Sequence, residues 1–162
     1  MLLFDSPTSL NLSQLVQVYR QSIRGDEGFD FGHNRFGQGL EDFEQYWRHE
    51  FFSVPGAACA VLEQNGNYIS VLRLEPYRDG LLITGLETAP EHRNKGMATS
   101  LLRDVIQHLR TSGGGRLYSH IHRRNKPSVC VHKSCGFYLL TEHAVFLDGS
   151  VSQKYDTYAL DI

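Results

Sequence analysis

No stretch of this 162-residue chain approaches the roughly 20 apolar residues that a membrane span requires. Its first residues, MLLFDSPTSL, lack both a basic n-region and a long apolar core, so no secretory leader is expected. Cysteine is scarce. Cys59, Cys130 and Cys135 are odd in number and form no disulfide framework, which fits free thiols in a reducing cytoplasm. No flanking signature marks any of them as a nucleophile. An excess of one charge is also missing: the net charge of −2 gives no global basic field, so bulk nucleic-acid binding is not expected. Linkers, internal repeats and low-complexity segments are absent. What remains is 41% hydrophobic and 21% charged, which suits one globular domain over residues 1–162 with one core.

Periodicity divides the chain into elements. LLFDS (2–6) alternates weakly and predicts a first strand. TSLNLSQLVQVYRQSI (8–23) aligns Leu12, Leu15, Val16, Tyr19 and Ile23 on one helical face. Residues 25–39 hold glycines and little periodicity and read as a long loop. LEDFEQYWRHEFF (40–52) predicts a second helix, with early acids and later Arg and His that suit its dipole. AACAVLEQ (57–64) and YISVLRLEPY (68–77), joined by NGN, predict a hairpin, and LLITGLETA (81–89) continues the sheet. MATSLLRDVIQHLRTSG (97–113) is helical and GGG stops it. RLYSHIH (116–122) predicts a strand, KPSVCVHKSCG a short helix with Pro127 in its first turn, FYLLTEHAVFL (137–147) a strand and KYDTYALDI (154–162) a closing strand. A right-handed crossover sets the strands at 81–89 and 116–122 side by side and parallel.

One junction carries chemistry. HRNKGMA sits where the strand at 81–89 hands over to a helix. The first turn of a helix offers unpaired N–H groups and partial positive charge, so an anion is stabilised there. Gly96 admits close approach of the backbone, Arg93 and Lys95 add charge, and the small Ala98 and Thr99 keep the entrance open. The turn predicts a pyrophosphate cradle, although many helices begin with a glycine and a basic residue for no such purpose.

The longer stretch PEHRNKGMATSLL resembles the pyrophosphate loop of the GNAT superfamily of acetyl-CoA-dependent N-acetyltransferases, with Arg93, Gly96 and Ala98 at the pattern's positions. About 30 residues on, NKPSVCVHKSCGF resembles the superfamily's second cofactor motif through Asn125, Ser128, His132, Gly136 and Phe137. The Ser128–His132 form is similar to the branch of phosphinothricin and methionine-sulfoximine acetyltransferases. The likeness covers residues 57–162 well; the first 55 residues match only as a generic helical pair.

This resemblance implies an α/β (α+β) fold: a central mixed, mostly antiparallel sheet of six to seven strands with about four helices and a splayed parallel pair at the cofactor cleft. Acetyl-CoA is the implied acyl donor, and no metal is implied. Its pantetheine arm would bond the backbone near Leu86 and Thr88. Its diphosphate would lie on the N–H groups of Asn94, Lys95, Gly96, Met97, Ala98 and Thr99 beside Arg93, with Asn125 and Ser128 adding contacts. The acceptor amine must lose a proton, a change that costs about 4–5 kcal/mol for a lysine-like amine at pH 7. Glu87, at the strand end, is the candidate base, with an exposed strand-end carboxylate and a water chain as the plainer alternatives. The Thr88 N–H would meet the oxyanion. Many relatives place a tyrosine where this chain has His132, which can assist the leaving thiolate or pack beside the cofactor.

Phe31, His33 and Arg35 on the long loop, with Phe29 and Phe36 beside them, are candidates to contact the acceptor, as is Tyr155; each can also serve packing alone. His120 and His122 share a strand face, but no third residue is spaced to complete a metal site. The leading functional reading is acetyl transfer to the primary amine of a small molecule, by a monomer or homodimer without nucleic-acid or membrane partners. A protein or peptide N-acetyltransferase and a non-catalytic acyl-CoA-binding module are the alternatives.

Overall fold

A computed structural model describes residues 1–24 and 40–162. Strand β1 (Leu2–Phe4) is followed by helix α1 (Leu12–Arg24). The helix begins four residues later than its periodicity implies. Asn11 caps it, its Oδ1 accepting from the Gln14 N–H at 3.2 Å, and Pro7 sits in the preceding turn. Helix α2 (Leu40–Gln45) does not run unbroken to residue 52. It widens into a π turn over Tyr46–Glu50 and tightens into a 3₁₀ turn over Phe51–Ser53. The wider turn keeps Phe43, Tyr46, Trp47 and Phe51 all buried on one side. The aromatic repeat was legible; the change in winding was not, because both windings serve it.

Strands β2 (Ala58–Gln64), β3 (Asn67–Tyr77) and β4 (Gly80–Thr88) form an antiparallel meander, the first two joined by the two-residue turn Asn65–Gly66. Helix α3 (Met97–Thr111) crosses over to β5 (Arg116–His122), which lies parallel to β4 as expected. Helix α4 (Lys126–Ser134) follows. The predicted strand 137–147 divides into β6 (Tyr138–Thr141) and β7 (Ala144–Val145). β7 leaves the main sheet to pair with β8 (Val151–Ser152), and β9 (Tyr155–Asp161) closes the chain between β5 and β6. The result is a seven-stranded sheet in the order β1-β2-β3-β4-β5-β9-β6, in which β4–β5 is the parallel pair.

The two faces of the sheet are covered differently. On one, α3 and α4 lie over Ala60, Leu72, Leu74, Ile83, Leu117, Ile121 and Tyr158, an almost wholly apolar layer. On the other, α1 and α2 press Leu15, Val18, Tyr19, Phe43, Tyr46, Trp47 and Phe51 onto Cys59, Val61 and Val71. Farther along that second face the strands carry Arg73, Glu75, Tyr77, Tyr118 and Thr157, buried polar or amphipathic side chains. Among the described residues no helix is long and apolar enough to cross a membrane.

Candidate active site

The parallel pairing of β4 with β5 runs from Leu81↔Leu117 to Ile83↔Ser119 and stops. Its end coincides with an irregularity on the other edge of β4. Arg73 pairs with Gly85 and Leu74 pairs with Ile83, which leaves Thr84 as an extra residue, a β-bulge. Beyond it β4 no longer pairs with β5, although both strands continue, to Thr88 and His122. The backbone of Leu86–Thr88 faces the opening. This is the splayed pair that the sequence reading placed here.

The turn after β4 leads into α3. Asn94 and Gly96 both have left-handed φ, at 59° and 78°, separated by one residue. Gly96 is the N-cap of α3 and provides no side-chain acceptor, so the N–H groups of Met97, Ala98 and Thr99 are uncapped. An added Cβ at Gly96 would meet nothing within 4 Å, so the space before the helix is open. Open space, bare N–H groups and a helix dipole make a fitting cradle for a diphosphate.

The two cations beside this cradle are engaged within the protein. Arg93 lies behind the turn: its Nε donates to the Thr88 carbonyl at 3.0 Å, one Nη to Gln21 Oε1 at 2.7 Å and the other to Glu87 Oε1 at 2.7 Å. Lys95 Nζ donates to the Glu91 carbonyl at 2.8 Å. Arg93 therefore braces the strand end and α1 against the turn. Glu87 is half-buried on the α1 side, where Ser22 Oγ donates to its second oxygen at 3.3 Å. Arg20, Gln21 and Ser22 thus reach Glu91, Arg93 and Glu87 in succession. Sequence reasoning missed all three, because nothing local in α1 reports partners some 65–72 residues away.

At the end of β5, Asn125 caps α4, its Oδ1 accepting from the Ser128 N–H at 3.1 Å; its Nδ2 makes no hydrogen bond among the described residues. His132 is 1% exposed. Its Nδ1 lies 2.8 Å from the Ser128 carbonyl, which can only accept, so Nδ1 carries the proton and Nε2 bears a lone pair. Nε2 is buried without a partner, and the ring stands edge-on to Phe137 at 5.0 Å. Burial pushes the imidazole down to about 4. At neutral pH the ring has no proton to give to a thiolate; what it offers is an acceptor.

On the second face of the sheet, His120 bonds Thr157 Oγ1 through Nδ1 at 3.1 Å and the Val145 carbonyl through Nε2 at 3.0 Å. Tyr77 Oη also donates to that carbonyl at 2.7 Å, so both side chains tie down β7. Tyr155 stacks edge-on against His122 at 5.0 Å and Phe146 at 5.3 Å, half-buried at the β5 end. His120 and His122 are therefore in hydrogen-bonding and aromatic roles, and among the described residues no three His, Cys, Asp or Glu side chains are grouped to hold a metal. Phe31, His33 and Arg35 lie outside the described residues.

Comparison with known proteins agrees with this geometry. A curated relative, streptothricin acetyltransferase of Streptomyces lavendulae, is 29% identical over 73 residues, which are 45% of this chain and 39% of the relative. The chain thus aligns with well under half of that protein's length. Among solved structures, a ribosomal-protein-alanine N-acetyltransferase from Brucella melitensis superposes with a TM-score of 0.70 at 20% identity over 100% of both chains. The PaiA N-acetyltransferase from Thermoplasma acidophilum, solved in complex with coenzyme A, gives 0.66 at 13% identity over 99% of this chain and 98% of its own. Both likenesses establish the fold. The sequence profile of the acetyltransferase (GNAT) family matches residues 21–137, from the last turn of α1 through the bulged strand, the glycine turn and α4 to Phe137, and the chain belongs to that family.

Proposed function

We propose that the protein transfers an acetyl group from acetyl-CoA to the primary amine of a small molecule, both held at once in the opening between β4 and β5. The observation that carries this reading is the coincidence of three features. β4 parts from β5 after Ile83, its freed end leads into a left-handed turn, and that turn opens an uncapped helix N-terminus with space in front of it.

The residues divide the work by position. The N–H groups of residues 94–99 hold the diphosphate, and the helix dipole of α3 replaces the hydration that the anion loses. The backbone of Leu86 and Thr88 bonds the pantetheine amides as an added strand would. Asn125 contributes its Nδ2, and Ser128 stands beside it at the first turn of α4. When bound, acetyl-CoA supplies the thioester carbonyl that an amine can attack. Glu87 lies on the opposite side, toward α1. Oriented by its ion pair with Arg93, it draws the acceptor ammonium and accepts the proton that leaves. The Thr88 N–H is placed to stabilise developing negative charge. His132, with its Nδ1 proton committed to the Ser128 carbonyl, is buried and packs edge-on against Phe137. Tyr155 contacts the acceptor, and the same role is expected of Phe31, His33 and Arg35, which lie outside the described residues.

The choice of a small molecule draws support from the curated relative, a streptothricin acetyltransferase. A steady-state assay of thiol release with a panel of small amines and of peptides tests the proposal. Turnover of small amines is the expected result. Turnover confined to peptides overturns the substrate class, and CoA binding without any turnover overturns the catalytic reading.

A further inference from the structure

Strand β3 carries an arginine into the interior. Arg73 is 8% exposed and projects from the sheet toward α2. One Nη donates to Tyr46 Oη at 2.5 Å, and the guanidinium carbon lies 5.3 Å from the Tyr46 ring centre and 6.0 Å from that of Trp47. The other Nη donates to the Thr84 carbonyl at 3.0 Å. Thr84 is the bulged residue of β4. Gly85, directly across from Arg73, completes the arrangement: a Cβ there would stand 2.5 Å from one Nη and 2.7 Å from Nε. The guanidinium fills the space in which any other residue would have a side chain.

Packing alone does not call for an arginine here. Withdrawing a guanidinium from water is expensive, a cost that Tyr46 and the buried Glu75 partly offset, and a leucine or methionine could fill the same volume. What an apolar residue cannot do is donate to the carbonyl that the bulge turns out of the β3–β4 ladder. The π turn of α2 sets Tyr46 and Trp47 side by side against the guanidinium, so the second helix and the bulge are joined through one side chain.

We infer that Arg73 is a positioning residue for acetyl transfer: through the Thr84 carbonyl and the missing side chain of Gly85 it fixes the bulge, and so fixes where β4 leaves β5 and how the backbone of Leu86–Thr88 is presented to the cofactor. Its role in turnover rests on the function proposed above; its role in holding the bulge does not.

Three variants test it. Arg73→Met keeps the volume and removes the donors. Gly85→Ala leaves Arg73 in the sequence but displaces its guanidinium. Arg73→Lys restores charge and a donor without the two-armed geometry. Calorimetry with CoA, steady-state kinetics and hydrogen exchange of the unliganded protein are the readouts. Arg73→Met and Gly85→Ala each should raise the CoA Kd at least tenfold and lower kcat, with the KM for the amine changed much less. Lysine should recover part of the loss. The double variant should be no worse than either single one, because both remove the same contact. Amides of residues 85–88 should exchange faster in both single variants. If Arg73→Met fails to fold, Tyr46→Phe, which removes only the oxygen that receives one Nη, should reproduce the effect in milder form. CoA affinity within twofold of wild type in the folded variants, or unchanged exchange at residues 85–88, overturns the inference. A wild-type protein that binds no CoA would instead refute the functional reading, and the exchange comparison would then decide the bulge by itself.

Discussion

Glu87 is held from two directions, by the Arg93 guanidinium on one oxygen and the Ser22 hydroxyl on the other. Two partners restrict where that carboxyl group can point, which suits the role proposed for it as the base. It also makes a clear substitution possible. Glu87→Gln keeps the size and one acceptor oxygen while removing the charge. The kcat of that variant should fall by roughly 10², and the acidic limb of its pH–rate profile should disappear, with CoA affinity nearly unchanged. An intact acidic limb would assign the proton to water or to the substrate's own ionisation. Arg93 also shows how a motif residue can match a pattern and still act indirectly. Among the described residues it donates to the Thr88 carbonyl, Gln21 and Glu87, so its contribution to the cradle is the shape of the turn.

At the scale of elements, the turn into α3 concentrates the anion site. Gly96 has φ 78°, and a side chain there would enter the open space proposed for the diphosphate. Asn and Asp both tolerate a left-handed backbone. Both Gly96→Asn and Gly96→Asp should therefore weaken CoA binding by bulk, and Gly96→Asp should lose on the order of 2 kcal/mol more through charge, roughly thirtyfold in Kd. Equal affinities for the two variants in calorimetry would place the diphosphate elsewhere. The turn and the crossover were legible because local chemistry fixes them, a glycine before a periodic helix and a strand–helix–strand order with one allowed hand, whereas the parting of β4 from β5 was expected only from the resemblance to the family. Less was legible where alternation was interrupted. LLITGLETA reads as one strand, and the extra residue at Thr84 is visible only against the register of β3. FYLLTEHAVFL likewise reads as continuous, but Thr141 Oγ1 and Thr157 Oγ1 both donate to the His143 carbonyl, and Tyr77 and His120 hold Val145 away from the main sheet. Except for Thr141 those partners come from other strands, 14 to 68 residues away, and no local pattern announces them. The unpartnered Nε2 of His132 was equally hidden, since the sequence gives the residue but not the tautomer.

The molecule as a whole keeps two imidazoles neutral, one on each side of the sheet. Burial pushes both His120 and His132 down to about 4 from an ordinary value of 6.5. The sign follows from which state takes the proton first. Above pH 6.5 neither folded nor unfolded chain is protonated at these rings, and they leave stability unchanged. As pH falls from 6.5 toward 4 the unfolded chain binds protons that the folded one refuses, so stability declines over that window and the contribution levels off below it. For His132 the loss is on the order of 3 kcal/mol across the window. Urea unfolding at a series of pH values should show the decline, and His132→Phe should make it shallower; an unchanged slope would mean that the ring titrates normally. His132→Phe should also leave kcat within a few-fold of wild type at neutral pH, because the native ring has no proton there to donate.

The single extra residue in β4 has a consequence of parity. Along an unbroken strand, even-numbered residues after Leu82 would all continue on its side. With Thr84 inserted into the count, Gly85 and Glu87 take over that side, and Leu86 and Thr88 turn toward α3. One residue thus works like a frameshift in three dimensions. It hands the Glu87 carboxylate to the α1 side and the strand's apolar and hydroxyl neighbours to the α3 side. Length in this strand is therefore constrained more tightly than composition: a substitution alters one contact, whereas losing or gaining one residue would exchange the roles of everything downstream.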